Sequence, residues 1–161
     1  MATVRPTVEK NGNRLNLKAD PKIGLAFTDA FKLNQCLLNL LSNAAKFTRE
    51  GEIIVEARRV EEVGGDIIEI AVSDSGIGMS PEQTQKLFNA FVQAEATTAR
   101  RFGGTGLGLV ITRRTMQLLG GDVDVASERE RGSTFTLHFP AYLRVAPTPS
   151  RDTSAADERR R

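Results

Sequence analysis

Three stretches of this chain carry residue types whose spacing could do chemistry. In the first, Asn39, Asn43 and Lys46 fall on one arc when residues 30–47 are wound as a helix at about 100° per residue. Amide oxygens are neutral ligands suited to a hard cation, and a nearby lysine suits phosphate. Asparagine is a poor helix former, and a merely solvated helix face is normally filled with Glu, Lys, Arg and Gln, so this pair costs stability unless it serves a purpose. In the second, DSGIGM at 74–79, a carboxylate at a strand end is followed by Gly76 and Gly78. Such a turn can meet a flat ligand edge-on while the backbone comes close, although Asp and Gly are also ordinary turn residues. In the third, RRFGGTGLGL at 100–109, the glycines 103, 104, 106 and 108 precede an apolar series at helical spacing: Leu107, Val110, Ile111, Met116, Leu118 and Leu119. Bare N–H groups and the positive end of a helix dipole make an anion site there. A flexible loop capping an ordinary amphipathic helix fits these glycines as well. Two familiar phosphate motifs do not fit. A dinucleotide fingerprint begun at Gly104 needs glycine where Leu109 stands, and a Walker loop begun at Gly103 needs lysine there and Ser or Thr where Val110 stands.

The elements that must position these residues are legible in order. Arg14 to Lys18 alternates with Leu15 and Leu17 on one face and reads as a short strand, and Gly24 to Thr28 as another extended piece. Asp29 is an N-cap candidate for a helix over residues 30–47, whose apolar stripe is Leu33, Leu37, Leu40, Leu41, Ala44 and Phe47. Glu52 to Val60 and Asp66 to Ser73 read as two strands joined by a turn with Gly64 and Gly65. A short helix is expected from Pro81 to about Phe88. Residues 89–105 have few apolar anchors, as lids or disordered segments do. The helix after the glycines should run to about Leu119, where Gly120 and Gly121 stop it. Asp122 to Ala126 and Ser133 to Phe139 are the last strands, with Pro140 ending the fold. Residues 1–12 read as the remnant of a preceding connecting element, 13–140 as the domain, and 141–161 as a flexible tail.

The chain's 161 residues suit one domain, and 40% apolar with 26% charged residues is ordinary for a globular protein. A net charge of +2 from 22 basic and 20 acidic residues gives no nucleic-acid or membrane footprint. The single cysteine, Cys36, excludes an internal disulfide and fits a reducing, cytoplasmic setting. No apolar run approaches the roughly 18 residues of a membrane span, so this segment is expected to make no direct membrane contact, although a parent protein could be anchored.

Taken together, the boxes resemble those of the catalytic and ATP-binding domain of bacterial sensor histidine kinases, within the superfamily that includes gyrase-type topoisomerases. NLLSNAAKFT (39–48) is similar to the asparagine box, DSGIGM (74–79) to the first glycine box and LFNAFVQ (87–93) to the phenylalanine box. RRFGGTGLGL (100–109) is similar to the second glycine box and GSTF (132–135) to the final glycine element, in the family's order. The resemblance implies an α/β (α+β) two-layer sandwich, with a mixed, mostly antiparallel sheet on three main helices. It implies ATP and Mg²⁺ as ligands. On it, Asp74 meets the adenine amino group with Gly76 and Gly78 close by, and Phe47 packs beside the base. Asn43 gives its oxygen to Mg²⁺ with Asn39 adjacent, and Lys46 reaches the phosphates. Gly104, Thr105, Gly106, Leu107 and Gly108 line the triphosphate, Arg100 or Arg101 reaches its end, and Thr134 lies near the adenine.

The resemblance also bears on the reaction. ATP-hydrolysing members of the superfamily usually carry Glu at the position of Asn39, and an amide cannot act as a general base. Asn39 therefore favours transfer to a protein nucleophile, with Asn39 and Lys46 as the catalytic pair. The implied partners are the dimerisation and histidine-phosphotransfer domain of the same parent and a downstream response-regulator receiver domain. The acceptor itself departs from the pattern. The one histidine, His138, lies in a predicted strand with Phe135, Leu137 and Phe139 pointing the other way, and reads as structural or solvent-facing. The chain is expected to be half of an enzyme. An ATPase or serine-protein kinase of the same superfamily, and a degenerate interaction module, are the alternatives.

Overall fold

Two Ile- and Val-rich runs form the centre of the sheet: β2 (Glu52–Val60) and β3 (Ile67–Asp74), paired antiparallel from Ile53 against Asp74 to Val60 against Ile67. In the computed structural model, which describes residues 5–89 and 107–142, three more strands complete the sheet. These are β1 (Arg14–Ala19), β4 (Asp122–Glu128) and β5 (Gly132–Pro140), in the spatial order β1-β2-β3-β5-β4. β1 runs parallel to β2, and the other pairs are antiparallel. A parallel pair needs a crossover, which α2 (Ala30–Phe47) supplies. The remaining helices among the described residues are α1 (Arg5–Glu9), α3 (Pro81–Lys86) and α4 (Gly108–Leu118). The result is the expected two-layer α+β sandwich; of the three main helices expected, α2 and α4 are the two long ones among the described residues, and α3 is a short third.

One face of the sheet is apolar at every second residue, the signature of a strand covered on one side. Ile53, Val55, Ile68, Ile70, Val72, Val123, Phe135, Leu137 and Phe139 are buried against Leu40, Leu41, Ala44, Ala45, Met116 and Leu119 of the helical layer. α2 begins where expected, because Asp29 Oδ1 accepts from the Lys32 N–H at 3.0 Å and satisfies one of the orphan donors of the first turn. Its other end is held from outside the helix. Asn13, buried, donates through Nδ2 to the Thr48 carbonyl at 2.9 Å and accepts from the Gly51 N–H at 3.0 Å, while Asn11 Nδ2 donates to the Ala45 carbonyl at 2.8 Å.

Several details differ from the sequence reading. β4 runs past Ala126 to Glu128, and Gly24 to Thr28 forms no strand beyond a single bridge at Phe27. α4 does not bury the whole apolar series: Ile111 and Leu118 are 59% and 73% exposed, whereas Thr112 is 2% exposed. The inward line runs through Leu109, Thr112, Met116 and Leu119, a spacing of three, four and three that hydrophobicity alone hid because one member is polar. The second central strand is shifted by one residue, so Asp74 is its last member and pairs with Ser133. α3 ends at Lys86, and its start is fixed by a capping box between Ser80 and Gln83. Packing also continues beyond 13–140. Val8 and Ala141 are fully buried, and Tyr142 bridges to Phe27 with their rings stacked at 5.5 Å.

Candidate functional site

Asp74 sits where β3 ends, on the face of the sheet that carries the core. Its Oδ1 accepts from the Gly76 N–H at 2.9 Å and from the Thr48 hydroxyl at 3.4 Å. Burial pushes its carboxyl pKa up, against the opposing pull of the Gly76 N–H, the Thr48 hydroxyl and the Ser133 N–H. A carboxylate stripped of water yet held by donors on one oxygen is ready to accept from a ligand on the other. Thr48, fully buried at the C-cap of α2, thus ties the asparagine-bearing helix to the strand end.

The two neighbouring glycines are demanded by protein backbone. A Cβ on Gly76 would lie 2.3 Å from the Phe47 carbonyl oxygen and 2.8 Å from Asp74 Oδ1. Gly78 has φ +61, and a Cβ there would lie 1.9 Å from the Glu128 carbonyl oxygen. The sequence reading gave Gly78 to a ligand; the space beside it is taken by the β4–β5 turn, whose Glu130 N–H also donates to the Ile77 carbonyl at 2.7 Å. Gly132 makes the same kind of approach, to the Asp74 carbonyl, and so docks β5 against the strand end.

On α2, Asn39, Asn43, Lys46 and Phe47 are half-buried and follow one another at helical spacing. Asn39 Nδ2 donates to the Thr112 hydroxyl at 2.8 Å, so the amide lies against α4. The Asn43 side-chain amide makes no hydrogen bond among the described residues, and no cluster of three His, Cys, Asp or Glu there could hold a metal. A divalent cation would therefore draw on the Asn43 amide oxygen, on the phosphates and on water; Mg²⁺ ordinarily keeps several waters and binds substrate phosphates, so a single neutral protein oxygen fits it. Lys46 lies with its ammonium 5.6 Å from the centroid of the Phe47 ring, and burial lowers its pKa. An ammonium with less hydration to lose binds phosphate more strongly.

α4 begins at Gly108, where a Cβ would lie 2.5 Å from Asn39 Oδ1. Leu107, half-buried at its N-cap position, contributes no side-chain cap, so among the described residues no capping side chain takes the first N–H groups of the helix, where an anion could bind. Arg100, Arg101, Gly104, Thr105 and Gly106 lie outside the described residues. Thr134 stands apart from the group: it is on the opposite face of β5 from Phe135, and its hydroxyl shares a 2.9 Å hydrogen bond with that of Ser73. Strand alternation puts Ser133 on the Asp74 face instead. Asp74 and Thr134 both border a shallow depression of about 320 Å³ beside the β4–β5 turn, but it touches none of Asn39, Asn43 or Lys46. His138 is farther still. It pairs in register with Glu69, five residues along β5 from Ser133, about 17 Å at the usual strand rise, and its Nε2 lies 3.3 Å from Asp124 Oδ2.

Sequence reasoning gave no role to Thr48, Thr112, Ser133 or Asn13. Thr48 closes the quoted asparagine box and Ser133 lies inside the quoted GSTF element, whereas Thr112 and Asn13 carry no local signal, since each acts on a partner distant in the chain.

A mixed sheet backed by two long helices, with an acceptor at a strand end and an amide-bearing helix beside it, is the architecture of an α+β nucleotide-site domain. Residues 28–143 match the model of the histidine kinase-, DNA gyrase B-, and HSP90-like ATPase family, and the chain belongs to that family. The chain is 43% identical over 127 residues to the signal transduction histidine-protein kinase BarA of Escherichia coli, covering 78% of this chain and 14% of that protein. It is 40% identical over 153 residues to the autoinducer 2 sensor kinase/phosphatase LuxQ of Vibrio parahaemolyticus, covering 91% and 18%. The crystal structure of full-length ShkA in complex with AMPPNP superposes with a TM-score of 0.72 at 31% identity, over 91% of this chain and 29% of that one. The chain thus spans less than a fifth of these curated relatives. No helix among the described residues is long and apolar enough to cross a membrane.

Proposed function

We propose that this domain binds ATP with Mg²⁺ and presents the γ-phosphoryl group to a histidine on a separate dimerisation and phosphoacceptor domain of its parent, from which a receiver domain would take it. The observation that carries this reading is the pairing of two chemically opposite ends on one helix–strand junction. A desolvated carboxylate, Asp74, stands at one end, and Asn39, Asn43, Lys46 and the start of α4, which has no side-chain cap from Leu107, stand at the other. Asp74 would accept from the adenine amino group, with Ser133 rather than Thr134 beside it. Asn43 would offer its oxygen to the cation, which screens the phosphate charge when bound. Lys46 and the first amides of α4 would hold the phosphate oxygens. Transfer needs positioning and charge neutralisation more than covalent help from the protein. The incoming imidazole nitrogen bonds to phosphorus as the bond to the ADP oxygen breaks.

Asn39 supports transfer over hydrolysis, because an amide bonded to Thr112 cannot take a proton from water. His138 does not suit the acceptor role: it lies on the outer face of the sheet beside Asp124. The test is incubation with γ-labelled ATP, with and without the parent's dimerisation domain, and with His138→Ala alongside. Label is expected on the added domain and none on this chain. Label on this chain that disappears in His138→Ala would refute the reading, and rapid phosphate release by the chain alone would favour an ATPase.

A further inference from the structure

Asn13, Thr48 and Thr112 are the buried polar residues among those described. The first two cap the end of α2, but Thr112 caps nothing. It lies in the α2–α4 interface, where a valine would fill the same space without a hydroxyl to satisfy. Its position is set from two sides. Cys36 Sγ donates to the Thr112 carbonyl at 3.9 Å, and one turn further along α2, Asn39 Nδ2 donates to the Thr112 hydroxyl at 2.8 Å. A side-chain amide has a donor end and an acceptor end, and engaging the donor end decides where the other points. Here Asn39 Oδ1 is turned to the first turn of α4: a Cβ built on Gly108 would lie 2.5 Å from Oδ1 but 3.1 Å from Nδ2. Glycine at 108 thus leaves room for the oxygen, and threonine at 112 aims it.

We infer that Thr112 is a positioning residue that orients the Asn39 amide, holding its oxygen toward the start of α4, where the phosphates and their divalent cation would lie. Through that orientation it sets how tightly the metal–triphosphate form is held. The inference rests on the nucleotide reading above and goes beyond it, because Thr112 touches neither nucleotide nor metal. With valine at 112, Asn39 loses its hydrogen-bond acceptor and its amide is free to turn over, offering N–H where oxygen is needed.

The test compares Thr112→Val with Thr112→Ser in the whole chain by calorimetric ATP binding in Mg²⁺ and in EDTA, thermal melting, and NMR exchange of the Asn39 side-chain amide. Thr112→Val should weaken ATP binding in Mg²⁺ about tenfold, the loss of roughly one hydrogen bond, and change binding in EDTA by less than about threefold. Thr112→Ser keeps the hydroxyl but leaves a methyl-sized void, so it should melt lower yet hold Mg-ATP within about threefold of the parent chain. A merely structural role predicts the reverse order, with affinity following melting temperature in both variants, and that result would overturn the inference. So would unchanged Mg-ATP affinity in Thr112→Val. If the valine variant does not fold, the parent chain still decides. Slow solvent exchange of the Asn39 amide protons without nucleotide supports the assignment, and exchange as fast as in a free peptide overturns it. A parent chain that binds no Mg-ATP overturns the nucleotide reading and this inference with it, and the control shows that before any variant is compared.

Discussion

Replacing Asp74 by asparagine should separate binding from folding. In the native site Oδ1 is engaged by the Gly76 N–H at 2.9 Å and the Thr48 hydroxyl at 3.4 Å. Asparagine can keep that arrangement only by placing its NH₂ where the adenine amino group must donate, so two donors face each other. Turning the amide over restores an acceptor to the base but sets NH₂ against the Gly76 N–H. Either orientation loses a charge-assisted hydrogen bond of about 1.5–3 kcal/mol and leaves a buried donor unpaired, a further 1–3 kcal/mol or so. Together these amount to roughly two to four orders of magnitude in affinity. The effect on stability has the opposite sign. Because burial raises the Asp74 pKa, its contribution to stability is fullest below the ordinary carboxyl value of 3.8 and is lost as pH rises through the folded-state pKa. The Asp74→Asn variant has no charge to desolvate at this position. Its ligand-free domain should be at least as stable as the parent at neutral pH, with the difference shrinking in acid. Calorimetry with ATP and ADP, and melting across pH, measure both. Unchanged nucleotide affinity would refute the adenine assignment, and a variant that melts well below the parent at neutral pH would refute the desolvation argument.

Asn43→Ala should weaken ATP binding in Mg²⁺ far more than in EDTA, and equal weakening in both would make Asn43 merely structural. Thr134→Val should lose the bond to Ser73 and about 1 kcal/mol of stability while leaving ATP affinity unchanged by calorimetry; a large affinity loss would return Thr134 to the adenine site. Asn13→Ala strands the Thr48 carbonyl and the Gly51 N–H, so chemical denaturation should show a loss of about 2–4 kcal/mol, and a loss under about 1 kcal/mol would mean water replaces the side chain. Arg113 lies 4.9 Å from the centroid of the Phe88 ring and donates to both oxygens of Asp122 at 3.0 and 3.3 Å. Burial would raise the Asp122 pKa, but Arg113 and the Val123 N–H outweigh it, so this stability is present above the ordinary carboxyl value and lost as pH falls through the lower folded-state pKa. Arg113→Ala should therefore flatten the acid side of the stability curve, and an unchanged curve would show that the pair contributes nothing measurable.

Much of the molecule was legible because the signals were local. Asp29 as a cap, the span of residues 30–47, the strand over 52–60 and the presence of the last two strands follow from periodicity and turn chemistry, which the nearest residues decide. The order of the boxes along the chain likewise points to the family by itself.

What the sequence could not decide is which side chains complete one another across the layers. Thr112 and Asn39 are 73 residues apart, and only the seating of α4 on α2 brings a hydroxyl to an amide. A threonine in that helix reads as polar, so hydrophobic periodicity assigned its inward place to Ile111 and Leu118, which the packed helix exposes. Gly78 read as room for a ligand, and the fold adds a second demand for glycine there, because a Cβ would strike the carbonyl of Glu128, from a turn far along the chain. The sequence named Thr134 alone, and only strand register shows that Ser133, not Thr134, shares the Asp74 face, because one residue of shift exchanges the faces of the sheet. Residue types along the chain determine which chemistry is available; burial, register and the contacts between layers determine which of those groups lose their water, which way they point and what they can hold.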